Sequence, residues 1–402
     1  MKIAYVIGIF PKLSETFILN EIIELLKRGH DVRIFSMFPP TVGEIQPEEV
    51  SEFKILERTY YFSMNKIFKV NIFNFLKYFF NGIVQDLYDS EISINKLLLG
   101  LEQAYFATIM KKNDIELIHA HFGGVGNFSL RLKKLLKKPL ITSFYGHDAS
   151  IADPTTYTKL FNTEGVITVL SNDMKQDLIR LGCPEDKIII HHLGVDLNKF
   201  AYYERHIEPS GKIKFLCVGR LVEKKGIICA IKAFSRLFTE NRNIELRIIG
   251  DGPMKKQIED LIQDLGLQNE VFLLGPQPHS MVIREMHRSH IFVLPSISAR
   301  NDDKEGTPTV LMEAQTSGMP VLSTYHAGIP EVVINGISGY LVKEKDINSL
   351  YEKMNYVTKH PELWSKLGKH GREHIEEKYN ISKQVVILEE IYKIIVANQI
   401  DT

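Results

Sequence analysis

Short apolar runs alternate with segments of helical period along the chain, which predicts an α/β protein with parallel sheets covered on both faces. The alternation stops at a polar stretch, Tyr202–Lys212, containing Pro209, Ser210 and Gly211, and then restarts. Two doubly wound, Rossmann-like domains in tandem are therefore expected, over 1–205 and 212–380. In the second half, glycine-rich and charged turns directly follow the expected strands, where open α/β sheets bind ligands. A length of 402 residues accommodates two such domains, and 44% hydrophobic residues suffice for their cores.

The first strand is KIAYVIGIF, apolar throughout as a strand buried on both faces should be. Ser14 is placed to cap a helix running to about Arg28, with Gly29 ending it. DVRIFSM is the next strand, followed by strands at ELIHAH, PLITSF, GVITVL and KIIIHH. SLRLKKLLKK and NDMKQDLIRLG read as helices between them. After the polar stretch come the strands IKFLCVG, IELRIIG, VFLLG, IFVLPS, PVLST and GYLV. The helices expected between them start at Gly226, Pro253, Ser280 and Pro308. A last helix, 382–398, has no strand partner and is expected to cross back onto the first domain.

Composition narrows the function. Lys and Arg number 49 against 49 Asp and Glu, so the basic excess of a general nucleic-acid binder is missing. The three cysteines, Cys183, Cys217 and Cys229, form no metal-ligand spacing and no disulfide framework, which suits a reducing cytoplasm. No apolar stretch reaches the roughly 18 residues of a membrane span.

Five patterns in the second half carry chemistry. In VGRLVEKKG, Arg220 follows Gly219 at a strand end and Lys225 comes five residues later. A planar fork of donors and a compact ammonium suit a diphosphate; the alternative is a solvated basic turn. In GDGP, Gly250 would let a nucleotide approach the backbone, though the sequence also suits an ordinary tight turn. In EGTPTVLME, Pro308 fits the first helical position, which makes Thr307 the cap. The helix N-terminus would offer N–H groups to an anion, with Glu305 before it and Glu313 inside it. Their alternative is a helix that favours acidic residues near its start. GMPVLST and GIPEVV read mainly as turns flanking a short strand. Asp302 and Asp303 lack a metal-ligand set and read as loop charge or acceptor contacts.

In this order, GRLVEKKG, IIGDGP, FLLGPQPH, EGTPTVLMEAQTSGMPVLST and GIPEVVINGISGYLV resemble the retaining GT-B glycosyltransferases. FPKLSETFILNEI and HAHFG resemble the colanic-acid and amylovoran type of exopolysaccharide transferase. The resemblance implies the GT-B fold, two Rossmann-like domains facing a central cleft, with acceptor on the first domain and a UDP- or GDP-linked sugar on the second. Arg220 and Lys225 then match the cations holding the donor diphosphate. Glu305 matches the carboxylate facing the donor sugar, and Glu313 the one binding the ribose. Gly306, Thr307 and Pro308 match the phosphate-facing turn, followed by Thr309 and Val310 at the helix start. Gly8 stands where the family carries a glycine-rich loop, but GIFPKLSET has no double glycine, leaving Ser14 and Thr16 as substitutes. His121 matches a histidine near the reacting sugar; its alternative is a structural histidine, and His119 is expected on the other face of the strand. His147 and Asp148 are either acceptor-side groups or a helix cap. The loop Gly275–Ser280 is expected to approach the base.

The reaction so implied is transfer of a hexosyl group, with retention, to a hydroxyl of a glycan or polyprenyl-linked glycan. Exopolysaccharide, capsule and lipopolysaccharide synthesis are the implied settings. Neither metal nor cofactor is expected, since Arg220, Lys225 and the helix N-terminus supply the charge. Domain closure about Tyr202–Lys212 would exclude water. Residues 54–85 interleave Lys54, Arg58, Lys66, Lys69 and Lys77 with aromatics, a composition suited either to an anionic membrane surface or to helices buried on the first domain. Two other readings are a sugar-nucleotide epimerase of the same fold and a non-catalytic nucleotide-sugar-binding protein.

Overall fold

The first strand, β1 (Lys2–Ile9), lies in the middle of a parallel sheet, and Ile3 to Ile7 are all buried, which is why the run carries no polar alternation. The computed structural model describes residues 1–12, 15–40, 49–88, 94–207 and 211–400. The remaining strands of this sheet are β2 (Asp31–Phe38), β3 (Thr59–Tyr61), β4 (Leu117–His121), β5 (Leu140–Ser143), β6 (Val166–Val169) and β7 (Ile188–Ile190). Their order is β3-β2-β1-β4-β5-β6-β7. β1 pairs β2 from Lys2↔Asp31 to Ile9↔Phe38 and β4 from Ile3↔Leu117 to Val6↔Ala120. Edge strand β3 was not expected from the sequence. It is three residues long and half-buried, so it carries no apolar run, and it pairs β2 through Phe35↔Tyr60.

A second parallel sheet contains β8 (Ile213–Val218), β9 (Ile244–Ile249), β10 (Val271–Leu273), β11 (Ile291–Val293), β12 (Val321–Thr324) and β13 (Gly339–Val342). Its order, β10-β9-β8-β11-β12-β13, reverses direction at β8, which places a switch point beside the C-terminal ends of β8 and β11. Helices Ile227–Glu240, Lys255–Asp264, His279–Arg288 and Thr309–Thr316 connect these strands. A buried core surrounds the sheet, in which Trp364 donates its indole N–H to Val357 O at 2.8 Å.

The chain forms two compact units. One is Met1–Val169 with Lys175–His191 and Val385–Thr402; the other is Leu170–Met174 with His192–Gln384. Helix Ile381–Ile400 contributes its later part to the first unit, where Tyr392 Oη lies 3.0 Å from Tyr5 Oη and 2.7 Å from His119 Nδ1. The described part of the polar stretch, through Ile207, belongs to the second unit. Buried Arg205 fastens it there by donating to the carbonyls of His287, Ser289 and Ser317. A polar composition suggests a linker; one arginine that satisfies three buried carbonyls makes this part a strap instead. Pro209 and Ser210 lie outside the described residues.

Helix Thr16–Lys27 follows β1. Thr16 opens it and Gly29 leaves it at φ 87°, a left-handed conformation that glycine adopts without strain. The proposed cap Ser14 lies outside the described residues. Gly8 is inside β1 rather than in the loop after it. Among the described residues no helix is long and apolar enough to cross a membrane.

Candidate functional site

The second unit gathers its charged side chains at the C-terminal ends of β8 and β11. After β8 the chain passes Gly219 and exposed Arg220, makes a 3-10 turn at Glu223–Lys225, and enters helix Ile227–Glu240 through Gly226. Gly226 has φ 62°, and a Cβ there would lie 1.8 Å from Pro295 O, so only glycine lets the turn close against the loop after β11. The turn sends Lys225 back over Gly219, whose absent Cβ leaves room for the lysine stem 3.3 Å away. Gly250, after β9, packs equally closely: a Cβ would lie 1.9 Å from Gly219 O. These two glycines therefore bring the β8 and β9 loops into backbone contact.

Lys225 Nζ lies 2.9 Å from Glu305 Oε1, with the side chains 11% and 8% exposed. Burial alone would raise the Glu305 carboxyl, but the nearby Lys225 and Lys224, with His326, hold it below the usual carboxylate value. Lys224 is buried as well and ties down the same loop. Its ammonium lies 2.9 Å from Asp303 Oδ1 and donates to Lys304 O at 2.9 Å. Asp303 is therefore an ion-pair partner in the loop.

Helix Thr309–Thr316 begins one residue later than the sequence suggests. Pro308 has ψ 112° and is the N-cap, not the first helical residue, and Thr307 precedes it. The early N–H groups, those of Thr309 and Val310 among them, have no acceptor within the helix by its geometry and point out of its start. Thr307 is buried and its Oγ1 has no hydrogen-bond partner. Glu313, one turn in, is buried, and His279 Nε2 approaches its Oε1 to 3.6 Å. His279 opens helix His279–Arg288 and meets Phe200 edge-on at 5.6 Å. Arg220, Lys225, Glu305, Gly306, Thr307, Pro308, Thr309, Val310 and Glu313 thus all belong to one unit, with Gly219 and Gly250 shaping its loops.

The sequence did not flag Lys224, His279, His326 or Glu344. Lys224 is masked by its neighbour Lys225, and His279 sits in a loop noted only for its position. His326 falls between two turns read as punctuation. Its Nε2 accepts from Glu305 N at 3.1 Å and its Nδ1 lies 2.7 Å from Glu344 Oε1.

The histidines of the first unit are placed differently. His121 ends β4 fully buried, with Nδ1 2.7 Å from Tyr145 Oη and Nε2 without a partner. His119 does not point to the other face: the two imidazoles stack with centroids 4.2 Å apart. Residues two apart in a strand share a face, and that period decides it. His119 Nε2 lies 2.7 Å from Ser143 Oγ, and Tyr5 Oη donates to Glu21 Oε1 at 2.6 Å. Burial, with His191 nearby, lowers His121 to about 3, and burial raises Glu21 to about 7. The network therefore favours neutral groups. Ligand atoms of Glu21, His119 and His121 lie within 4.8 Å of one another. Both nitrogens of His119 are already engaged, however, and stacked rings do not converge on one ion.

Asp148 takes the capping role of its two alternatives. Its carboxylate accepts from Tyr145 N at 2.8 Å and Gly123 N at 2.6 Å, while His147 is exposed. A cavity of about 990 Å³ in the first unit, lined by Lys96, Arg131, Lys134 and Lys159 among others, shares no residue with the Lys225–Glu305 cluster.

A six-stranded sheet with reversed order, a buried ion pair at its switch point and a helix that starts just after Glu305 define a Rossmann-like unit. Residues 199–374 match the family model Glycosyl transferases group 1, and residues 93–199 match Glycosyltransferase Family 4. The amylovoran biosynthesis glycosyltransferase AmsK of Erwinia amylovora is 31% identical over 379 residues, covering 87% of this chain and 89% of that protein. The putative colanic acid biosynthesis glycosyltransferase WcaL of Salmonella typhimurium is 29% identical, covering 96% and 99%. Among solved structures, a glycosyltransferase from Rickettsia africae superposes with TM-score 0.75 at 19% identity over 99% of both chains. Anabaena Alr3699/HepE in complex with UDP superposes with TM-score 0.74 at 15% identity, over 98% of this chain and 100% of that one. The chain belongs to the group 1 glycosyltransferases and has the GT-B fold of two Rossmann-like units. That membership does not favour the epimerase or the non-catalytic reading.

Proposed function

We propose that the chain transfers a hexosyl group from a nucleotide sugar to a hydroxyl of a glycan or lipid-linked glycan during exopolysaccharide synthesis, with retention at the anomeric carbon. The observation that carries this is the buried Lys225–Glu305 pair at 2.9 Å beside exposed Arg220 and the start of helix Thr309–Thr316. Arg220, Lys225 and the helix N–H groups bind the diphosphate and stabilise the charge it gains on leaving, without a metal. Glu305 accepts from donor-sugar hydroxyls and Glu313 from the ribose. The acceptor oxygen bonds to the anomeric carbon on the face the diphosphate leaves. The carbon–phosphate-oxygen bond breaks, and the acceptor proton passes to the departing phosphate. His121 acts near the reacting sugar, a role that its position at the C-terminal end of β4 supports. The UDP bound by Alr3699/HepE favours UDP as the nucleotide.

The test is a thermal-shift panel of UDP, GDP and ADP, with magnesium and with chelator. UDP at a hundredfold excess over Kd is expected to add about 2.7 kcal/mol of stability, equally with chelator present. Glu313→Ala is expected to abolish that shift. A panel without any shift, or one that needs magnesium, would contradict the reading.

A peripheral membrane contact is supported by helix Ile72–Tyr88. Phe75 and Tyr78 are buried, while Phe73 (83% exposed), Leu76, Lys77 and Phe80 leave its opposite side both apolar and basic. Phe68 and Lys69, just before it, are exposed as well. Full-length protein is expected to float with anionic vesicles, and Phe73→Asp/Phe80→Asp to stay in the soluble fraction with unchanged Tm. Equal flotation of both would remove the contact.

A further inference from the structure

The loop from Leu294 to Pro308, which carries Glu305, contains no helix or strand, yet its backbone is fixed at a site that needs precise placement. Part of that fixation comes from an imidazole. Glu305 donates its backbone N–H to His326 Nε2 at 3.1 Å. A backbone N–H can only donate, so Nε2 must be the unprotonated nitrogen and the ring proton sits on Nδ1. Nδ1 faces Glu344 Oε1 at 2.7 Å, and a carboxylate there keeps the proton on that side. Glu344 in turn accepts from Ser298 N at 2.7 Å, in the first part of the same loop.

The imidazole itself is fixed to the sheet. His326 follows β12, its ring is 1% exposed, and its backbone N–H donates to Thr324 O at 2.8 Å. Neighbouring Tyr325 donates to Val342 O, at the end of β13, at 2.9 Å. The loop after β11 is thus braced at two points, Ser298 and Glu305, against the ends of the next two strands in the sheet.

We infer that His326 is a positioning residue for Glu305, with Glu344 setting its tautomer, so that the Glu305 carboxylate is held at Lys225 before any donor arrives. This rests on the reading that Glu305 faces the donor sugar. The contacts of His326 are to the Glu305 backbone and to Glu344, so its effect should fall on turnover more than on donor affinity. A displacement of about 1 Å at a reacting centre costs on the order of a hundredfold in rate.

The test measures hydrogen exchange across residues 300–308 and UDP release from UDP-glucose, on the full chain. Parent, His326→Ala, His326→Gln, Glu344→Ala and Glu305→Ala are compared. His326→Ala is expected to speed exchange at the Glu305 amide about tenfold or more, and to lower kcat by about tenfold or more while KM moves less than about threefold. His326→Gln, whose amide both accepts and donates, is expected to recover most of both. Should His326→Ala fail to fold, Glu344→Ala reports the same local loosening, because the side chain it removes is 28% exposed. Exchange at Glu305 as slow as in the parent overturns the inference. So does a loosened loop with parental turnover when Glu305→Ala is inactive. Parental turnover in Glu305→Ala overturns instead the role of Glu305. The exchange measurement needs no donor, so it decides the bracing even if UDP-glucose is not turned over.

Discussion

Lys225→Ala is expected to lower turnover by about a hundred- to a thousandfold and to lower stability at the same time. The first effect follows from removing a preorganised cation aimed at a leaving diphosphate. The second follows from Glu305, which would stay buried without its partner; breaking such a pair costs about 3–5 kcal/mol. The two effects separate in a double substitution. Lys225→Ala/Glu305→Ala removes both charges and should regain much of the stability, while turnover stays low. Arg220→Ala gives the complementary case, because Arg220 is exposed. Its Tm should match the parent, since exposed substitutions fall within about 0.5 kcal/mol, yet its turnover should drop. The pH dependence has a definite sign. The Glu305 carboxyl lies below its usual 4.5, so its pairing stabilises the fold fully above that value and is lost as pH falls below it. In Lys225→Ala burial acts without its main opponent, so this acid-side loss should be smaller than in the parent. Parental kcat in Lys225→Ala, measured as nucleotide release, would sink the role given to this lysine.

Much of this site is legible in sequence because its geometry is local. Arg220 and Lys225 are five positions apart, and Glu305 and Glu313 flank one helix start, so spacing alone brings each pair together. The strands of both sheets are legible for the same reason, each being an apolar run. β3 is not, because three half-buried residues on an edge carry no periodic signal. His326 and Glu344 are not either: they reach Glu305 and Ser298 only once β11, β12 and β13 lie side by side. Arg205 shows a similar limit, since what fastens it are carbonyls at His287, Ser289 and Ser317, far along the chain. The face of His119 was open to a correct reading. Strand period places it with His121, and the stacked rings follow from that alone.

Glu21→Gln is expected to make the first unit more stable at pH 8 and to lessen its pH dependence below neutrality. Glu21 is buried beneath Tyr5, and burial raises its carboxyl from 4.5 to about 7. Among the described residues no cation helps to set this value, and the Tyr5 hydroxyl is what lowers it. Between those two values the folded chain holds a proton that the unfolded chain has released. Stability contributed by Glu21 therefore falls as pH rises from about 4.5 to about 7, the reverse of the Glu305 case. At about 1.4 kcal/mol per unit, the cost of ionising it above pH 7 is on the order of 3 kcal/mol. Glutamine keeps an acceptor for the Tyr5 hydroxyl and carries no charge, so the variant should lose that cost. Asp148, also raised to about 7 by burial, provides an internal contrast. Its carboxylate accepts from two backbone N–H groups, so Asp148→Asn would give up part of a cap for the charge it removes. Melting curves from pH 5 to 9 decide the matter. The Glu21→Gln curve should decline less steeply than the parent's between pH 5 and 7, with Asp148 still contributing to both, and parallel curves for the two would mean that Glu21 is ionised throughout and compensated within the buried network.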